Sequence, residues 1–395
     1  RYIAVTGVQT CALPISLDEA MRDSFFSWGT DEEQIEQTYN RVRSEVQALA
    51  EQEGWNSEQM EAEIRRRSQA IEAQFNQRYA DVEQYQVPGM EGESVLRQAF
   101  ASEMDPGPER DLANALADND LAAADAARIE IERRSVYADD DTINGVRRAQ
   151  YERSLQATRL DQGPARRRAI QRQLDQYLDN HPDADEEELS RERFRLEHQM
   201  ERDLADEAQS RSRISMEALQ HAYDDSYGRP LSFTLAMYMS GSDLDQARDL
   251  LDQGGRLNPL QEIEYATRGA GTDEDALRRT LSGMTRAEIA EVRRDWEARH
   301  PGESFDAMLR GELSGRDQFD IMDMVEHGAP ESASERIAQQ RRRTEYELNE
   351  LTGVFGSLAA SSEGSWLRRQ MAELEELEPQ LHRPLSQMSD DERLR

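Results

Sequence analysis

Carboxylates are the reactive groups this chain holds in quantity. Of its 395 residues 81 are Asp or Glu, against 48 basic residues that are all Arg, leaving a formal charge of −33. So many hard oxygens suit divalent cations, basic proteins or high salt, and their field repels nucleic acid and bare anionic membranes. Acid–base catalysis needs one carboxylate pair set apart from the others, and here carboxylate pairs recur throughout the chain. One run, Asp183-Ala184-Asp185-Glu186-Glu187-Glu188, starts like a calcium-binding loop but lacks Gly at its sixth position and reads as a solvated helix start. The six His are scattered without metal spacing, and P-loop, nucleophile-elbow and HExxH patterns are absent. No enzyme is expected.

The single Cys, Cys11, falls in VTGVQTCALPIS, Val5 to Ser16. That apolar run is short and broken by Pro14, too little for the core of a secretory signal. Val5 to Ile15 looks like a translated sequencing adapter, so residues 1–16 are expected to be an artefact. The protein proper then has no disulfide framework, thiolate zinc site or Cys nucleophile. No stretch of 18 apolar residues exists to span a membrane.

The elements that must position any site are helices. Ala, Leu, Glu, Gln and Arg dominate, and alternating strand patterns are almost missing, so the fold class is expected to be all-α. Two long, charged, Gly-poor stretches, Gln34 to Tyr79 and Ile143 to Ser226, predict extended helices or hairpins running outside the repeat bodies. An acidic helix-start pattern recurs as TDEEQI from Thr30, ADDDTI from Ala138, TDEDAL from Thr272 and SDDERL from Ser389. Each copy places a capping residue before carboxylates, which suits the free N–H groups and dipole of a helix start. A second pattern follows: ASEMDPG from Ala101, AMYMSG from Ala236 and GELSG from Gly311, each before an acidic, apolar-periodic helix. Four starts in register predict duplication. The expected organisation is a first repeat with an insertion over 17–125 and a degenerate second with a long helical insertion over 126–253. An intact third follows over 254–330, then a helical linker and the start of a fourth over 331–395, with the gene expected to continue past both ends.

The third repeat predicts five helices. The first ends before Arg268-Gly269-Ala270-Gly271, and the second is capped by Thr272. The third opens on the capping box Thr285 to Glu288 and buries Ile289, Val292 and Trp296 before Pro301-Gly302 breaks it. The fourth carries Phe305, Met308 and Leu309; Ser314-Gly315 then turns into a fifth carrying Phe319, Met322 and Val325.

In GAGTDEDAL, EIAEVRRDWE and LRGELSG this repeat resembles an annexin repeat, over about 75 residues; the other repeats match only at helix starts and ends. The resemblance implies a bacterial-type annexin-like protein with degenerate repeats and long helical insertions. It also implies a calcium site from the backbone carbonyls of Thr267, Gly269 and Gly271 and the side chain of Glu312, bridging the protein to anionic phospholipid. Calcium accepts six to eight oxygens, glycines permit a tight carbonyl loop, and one carboxylate leaves open positions for lipid phosphate. Affinity without lipid is expected to be weak, about 10⁻⁴ to 10⁻³ M. The same residues also suit a plain helix cap and turn.

By the acidic starts, Gly269 and Gly271 become Ser27 and Gly29, Ser135 and Tyr137, and Ser386 and Met388. Glu312 becomes Glu103 in the first repeat and Tyr238 in the second, which is expected to be inert. Trp28, at the first loop's apex, suits either packing or a membrane interface. Expected partners are anionic phospholipid through calcium and further proteins, with the chain soluble and either cytoplasmic or peripheral at a membrane surface. The alternative is a non-catalytic helical scaffold or interaction module of a larger polypeptide.

Overall fold

The computed structural model describes residues 32–135, 140–268, 271–355, 362–383 and 385. The adapter-like segment, Trp28, Gly29, Tyr137, Gly269 and the whole of SDDERL lie outside the described residues. Sixteen α-helices and no strand occur among them, the expected all-α class.

Three successive runs of helices account for Glu32 to His327. The first holds α1 (Glu32–Glu53), α2 (Ser57–Tyr79), α3 (Val95–Glu103) and α4 (Pro108–Asp118). The second holds α5 (Leu121–Arg134), α6 (Asp140–Asn180), α7 (Glu186–Tyr227), α8 (Leu231–Tyr238) and α9 (Gly241–Gln253). The third holds α10 (Pro259–Ala266), α11 (Glu274–Leu281), α12 (Arg286–Arg299), α13 (Phe305–Glu312) and α14 (Gly315–His327). Beyond them come α15 (Ala333–Phe355) and α16 (Ser362–Leu377).

The recurring motif has a structural counterpart. The helix α11 begins at the third residue of its acidic pattern, Glu274, and the third residues of the first two patterns, Glu32 and Asp140, are helical in α1 and α6. Asp273 caps α11 by accepting a hydrogen bond from Ala276 N at 2.8 Å. That corrects the expectation for Thr272, whose hydroxyl is engaged elsewhere.

The helices α3, α8 and α13 repeat an inner face. Leu96, Phe100 and Met104 of the first run are buried, as are Leu231, Leu235 and Met239 of the second and Phe305, Leu309 and Leu313 of the third. The four-residue spacing places all three residues on one side of a helical turn, the side that enters the core. The turn that follows is the same in the last two runs. Met239 (φ −106°, ψ 153°) and Leu313 (φ −112°, ψ 155°) are extended, as are Ser240 and Ser314 after them. Gly241 and Gly315 then adopt φ +60° and +57°, the left-handed region that favours glycine.

The long charged stretches correspond to the short pair α11 and α12, lengthened. This pair spans 8 and 14 residues in α11 and α12, 22 and 23 in α1 and α2, and 41 and 42 in α6 and α7. The first pair is no extension outside the body. Ile35, Tyr39, Val42, Val46 and Ala50 of α1 pack with Ile64, Ile71 and Phe75 of α2, Phe100 of α3 and Leu112 of α4.

The chain forms two compact units, divided within α6 beside Pro164 and within α7 before Leu204. The unit that includes residues up to Pro164 and Leu204–Arg256 has two main cores: the one just described, and a second joining Ile129, Ile143, Leu219, Tyr223, Leu235 and Leu251. The unit of Ala165–Asp203 and the residues from Leu257 onward has a core of Ile263, Leu277, Leu281, Ile289, Trp296 and Phe305 with the other inward residues of the third run. Here Ile321 takes the central place on α14, while Phe319 is half-buried and stacks on Tyr346, 4.1 Å between ring centroids. Within this unit the tip of the long hairpin holds the start of α15: Glu187 accepts from Ser334 N at 2.8 Å and Ser190 Oγ from Ala333 N at 2.9 Å. Asp185 caps α7 by accepting from Glu188 N at 2.8 Å, so the Asp183 to Glu188 run is a helix start.

Candidate calcium loop in the third run

The loop between α10 and α11 is framed by its own backbone. Pro259 opens α10 behind the Asn258–Gln261 capping box, and the helix ends at Thr267, whose hydroxyl donates to Ile263 O at 2.8 Å. Asp273 N then reaches back to Ala266 O at 2.8 Å, closing residues 267–272 into a small ring. A Cβ built on Gly271 meets no heavy atom of the described residues within 4 Å.

Glu312, 41 residues beyond Gly271 in sequence, is brought to this loop. It is the last residue of α13, and its Oε2 accepts a hydrogen bond from Thr272 Oγ1 at 2.9 Å. Three of the four sequence-predicted residues, Thr267, Gly271 and Glu312, therefore belong to one neighbourhood, while Gly269 lies outside the described residues. The carboxylate is exposed and available to a cation. No group of three or more His, Cys, Asp or Glu that could hold a metal occurs among the described residues, so an ion here would depend on loop carbonyls and a single carboxylate.

Charged side chains beside the loop were not singled out from the sequence. Arg268 folds back over the Tyr265 ring, 5.5 Å from its centroid, and lies 3.8 Å from Glu264. Glu264 is buried and also meets Arg299 and His300, each at 3.3 Å. An i,i+4 Glu–Arg spacing was the only available signal, and it is too common in this chain to mark one pair. Farther along, Glu288 closes the Thr285 capping box while meeting His198 Nε2 at 3.1 Å and Arg202 at 3.2 Å. Burial pushes the Glu288 carboxyl up, but the Thr285 amide and His198 bonds outweigh it and hold it below the ordinary range.

The equivalent positions in the other runs are arranged differently. Glu103, at the end of α3, accepts from Gln84 Nε2. Tyr238, at the end of α8, accepts from Arg133 Nη1 at 2.9 Å, and the guanidinium lies 5.1 Å from its ring centroid.

No protein-family model matches this chain, and no curated protein matches it. Among solved structures, annexin III is 15% identical and aligns over 81% of this chain and 95% of its own, with a TM-score of 0.22. A chicken annexin V structure described as a complex with Zn²⁺ is 16% identical over 81% and 96%, with a TM-score of 0.21. A second chicken annexin V structure is 15% identical over 80% and 96%, with a TM-score of 0.20. These scores are low, and the class drawn here rests on this chain's own helix boundaries and turns: an all-α protein built of tandem helical repeats. No described helix is long and apolar enough to cross a membrane.

Proposed function

We propose that this chain binds calcium at the α10–α11 loop and, through the ion, binds anionic phospholipid membranes. The observation that supports the reading is the Thr272–Glu312 hydrogen bond, which sets the carboxylate against the loop implied by the annexin-like motifs. Carbonyls of Thr267, Gly269 and Gly271 with the Glu312 carboxylate would hold the ion; a hard cation left with open positions supplies attraction for lipid phosphate. Because the chain carries −33, its own field opposes an anionic bilayer, and the ion would reverse that sign locally.

The test is co-sedimentation of the full chain with phosphatidylserine vesicles. Binding is expected at millimolar calcium, is lost on chelation, and is not restored by magnesium, which requires tighter octahedral geometry. Glu312→Gln keeps shape and removes charge, so it is expected to abolish most calcium-dependent binding while changing stability by less than about 0.5 kcal/mol. Equal sedimentation of wild type and Glu312→Gln would reject the reading.

A scaffold role is the second reading. It is favoured by the elongated hairpin, whose Glu187 and Ser190 secure the start of α15 and whose His198 and Arg202 secure the start of α12. Its expected partners are proteins.

A further inference from the structure

One stripe of α7 lines a cleft. Glu188, Arg191, Glu192, Arg195, His198 and Gln199 recur at three- and four-residue spacings, which puts them on one side of the helix. Tyr177 of α6, Phe194 of α7, Thr285 at the start of α12 and Glu331 before α15 complete the lining. The cleft has a volume of about 510 Å³, the size of a small-molecule site. All its residues belong to the unit of Ala165–Asp203 and the residues from Leu257 onward.

Two aromatic rings of the lining are each backed by a histidine. Tyr177 stacks on His181, 4.3 Å between ring centroids, and Phe194 on His198, 5.4 Å apart. His198 is itself held by the Glu288 carboxylate at 3.1 Å. The face of an aromatic ring attracts a cation, and its body packs against an apolar stem.

The guanidiniums of the lining are matched by carboxylates, whereas one half-buried carboxylate has no such partner. Arg195 donates from Nε and Nη2 to Glu192 at 2.9 and 2.5 Å, and Arg191 from Nη2 to Glu187 at 2.9 Å. Both arginines stand on the rim, 64 and 63% exposed. Glu331 is half-buried; its amide donates to Glu335 at 2.8 Å, while its carboxylate meets no donor among the described residues. The wider surroundings have the same sign. Once the partners Glu187, Glu288, Asp185 and Arg202 are included, six carboxylates face three guanidiniums. The adjoining pairs Asp203–Arg166 and Glu335–Arg286 cancel. Burial and the carboxylates of Glu188, Glu192 and Asp185 push the Tyr177 hydroxyl up, so the cleft is electronegative beside that ring.

We infer that this cleft binds an organic cation, an ammonium or guanidinium group on an apolar stem, with its charge on Glu331 and its stem against Tyr177 and Phe194. Polyamines carry such a group, as do Lys and Arg side chains of a partner protein. A bare metal ion would engage the carboxylate and leave the rings idle. An anion would meet the unmatched carboxylate and the negative surroundings. This inference does not rest on calcium or on the α10–α11 loop.

The test is isothermal titration of the full chain at physiological salt, with chelator throughout. The probes are spermidine, N-acetyl-arginine methylamide, and the citrulline and glutamate counterparts of the latter, which replace the cation by a neutral group and an anion. Spermidine and the arginine probe are each expected to fill one saturable site with a Kd of about 1 mM or below. Glu331→Gln should weaken both about tenfold, and Phe194→Leu about threefold. Asp252→Asn removes the same charge from the other unit and should leave both within about twofold, because its field decays over a Debye length. Circular dichroism checks that each variant keeps its helicity. Binding of spermidine without the arginine probe supports the inference and assigns a polyamine; the reverse supports it and assigns a basic protein segment. Failure of both cations to bind at millimolar concentration, or equal or tighter binding of the citrulline or glutamate probe, would overturn it. So would undiminished binding by Glu331→Gln, or an equal loss in Asp252→Asn, which would reduce the attraction to the overall charge of the chain.

Discussion

The helices α8 and α13 do the same work inside and different work outside. Leu231, Leu235 and Met239 enter one core as Phe305, Leu309 and Leu313 enter the other, and both helices leave through an extended pair and a left-handed Gly. At the last helical residue they part: Glu312 accepts from a loop threonine, and Tyr238 accepts from an arginine. Core packing constrains the inner positions in every copy, because lost volume costs stability directly. Outer positions carry no such constraint. The contrast teaches that function in this chain is to be sought where the copies disagree on a shared frame.

The largest effect should come from the shared frame. Phe305 is fully buried against Trp296, 5.8 Å between ring centroids, and Phe305→Ala is expected to cost about 3–5 kcal/mol in a urea titration. Leu231→Ala removes less volume at the corresponding position, with about 2–5 kcal/mol expected. If either variant costs under about 1 kcal/mol, the two inner faces are not equivalent and the comparison breaks.

Next comes the Glu130 cluster of the second run. Burial pushes this carboxyl up, but bonds from Arg133, Tyr223 and Arg134 outweigh it and bring it to about 2, against an ordinary 4.5. A carboxyl depressed in the folded chain stabilises above its unfolded value and stops doing so as pH falls through the folded value. The contribution, about 3 kcal/mol at neutral pH, should therefore fade between about pH 4.5 and 2. Glu130→Gln should lose it at pH 7 and show a flatter dependence of Tm on pH across that window. Parallel wild-type and variant curves would show that the cluster adds nothing to stability.

Much of this architecture is written in local signals. Thr285 and Glu288, three residues apart, announce the start of α12, and Pro301-Gly302 its end, because capping and proline act on adjacent backbone. The acidic pattern at Thr272 marked the start of α11 to within a residue, and the misplacement of that cap on Thr272 instead of Asp273 has a simple cause: both side chains can cap, and only the loop decides which one turns inward. Pairings across long separations left no such mark. Arg133 and Tyr238 are 105 residues apart and His198 and Glu288 are 90 apart, and nothing local distinguishes those arginines and histidines from their neighbours. The long charged stretches misled for a related reason. Narrow apolar stripes suggest free-standing hairpins, whereas α1 buries Ile35, Tyr39, Val42 and Val46 in a core completed by helices further along the chain.

A smaller effect tests the support that the hairpin tip lends to the third run. Thr285→Ala removes a helix cap and is expected to cost about 1 kcal/mol. In the same unit His198→Ala should cost about 0.5–1 kcal/mol, as the loss of one partly exposed partner of Glu288. Because His198 and Thr285 share Glu288, the two losses should not add, and a double-mutant cycle measures the coupling. Strict additivity would mean that the hairpin touches α12 without steadying it.

The smallest effect concerns the position at which α8 and α13 diverge. Tyr238→Phe removes the acceptor for Arg133 Nη1 but leaves a ring under the guanidinium, and Arg133 keeps two bonds to Glu130. Tyr238 is half-exposed, so water can take the lost donor, and a change within about 0.5 kcal/mol is expected. Tyr238→Ala removes the ring as well and should cost about 0.5–1 kcal/mol, the cation–π contribution at an exposed site. The order of the two variants is the discriminating result: Phe near wild type with Ala below it places the interaction in the ring face. Equal losses would place it in the hydroxyl, making Tyr238 an oxygen ligand to a cation as Glu312 is proposed to be, and the two helix ends would differ less than their residues imply.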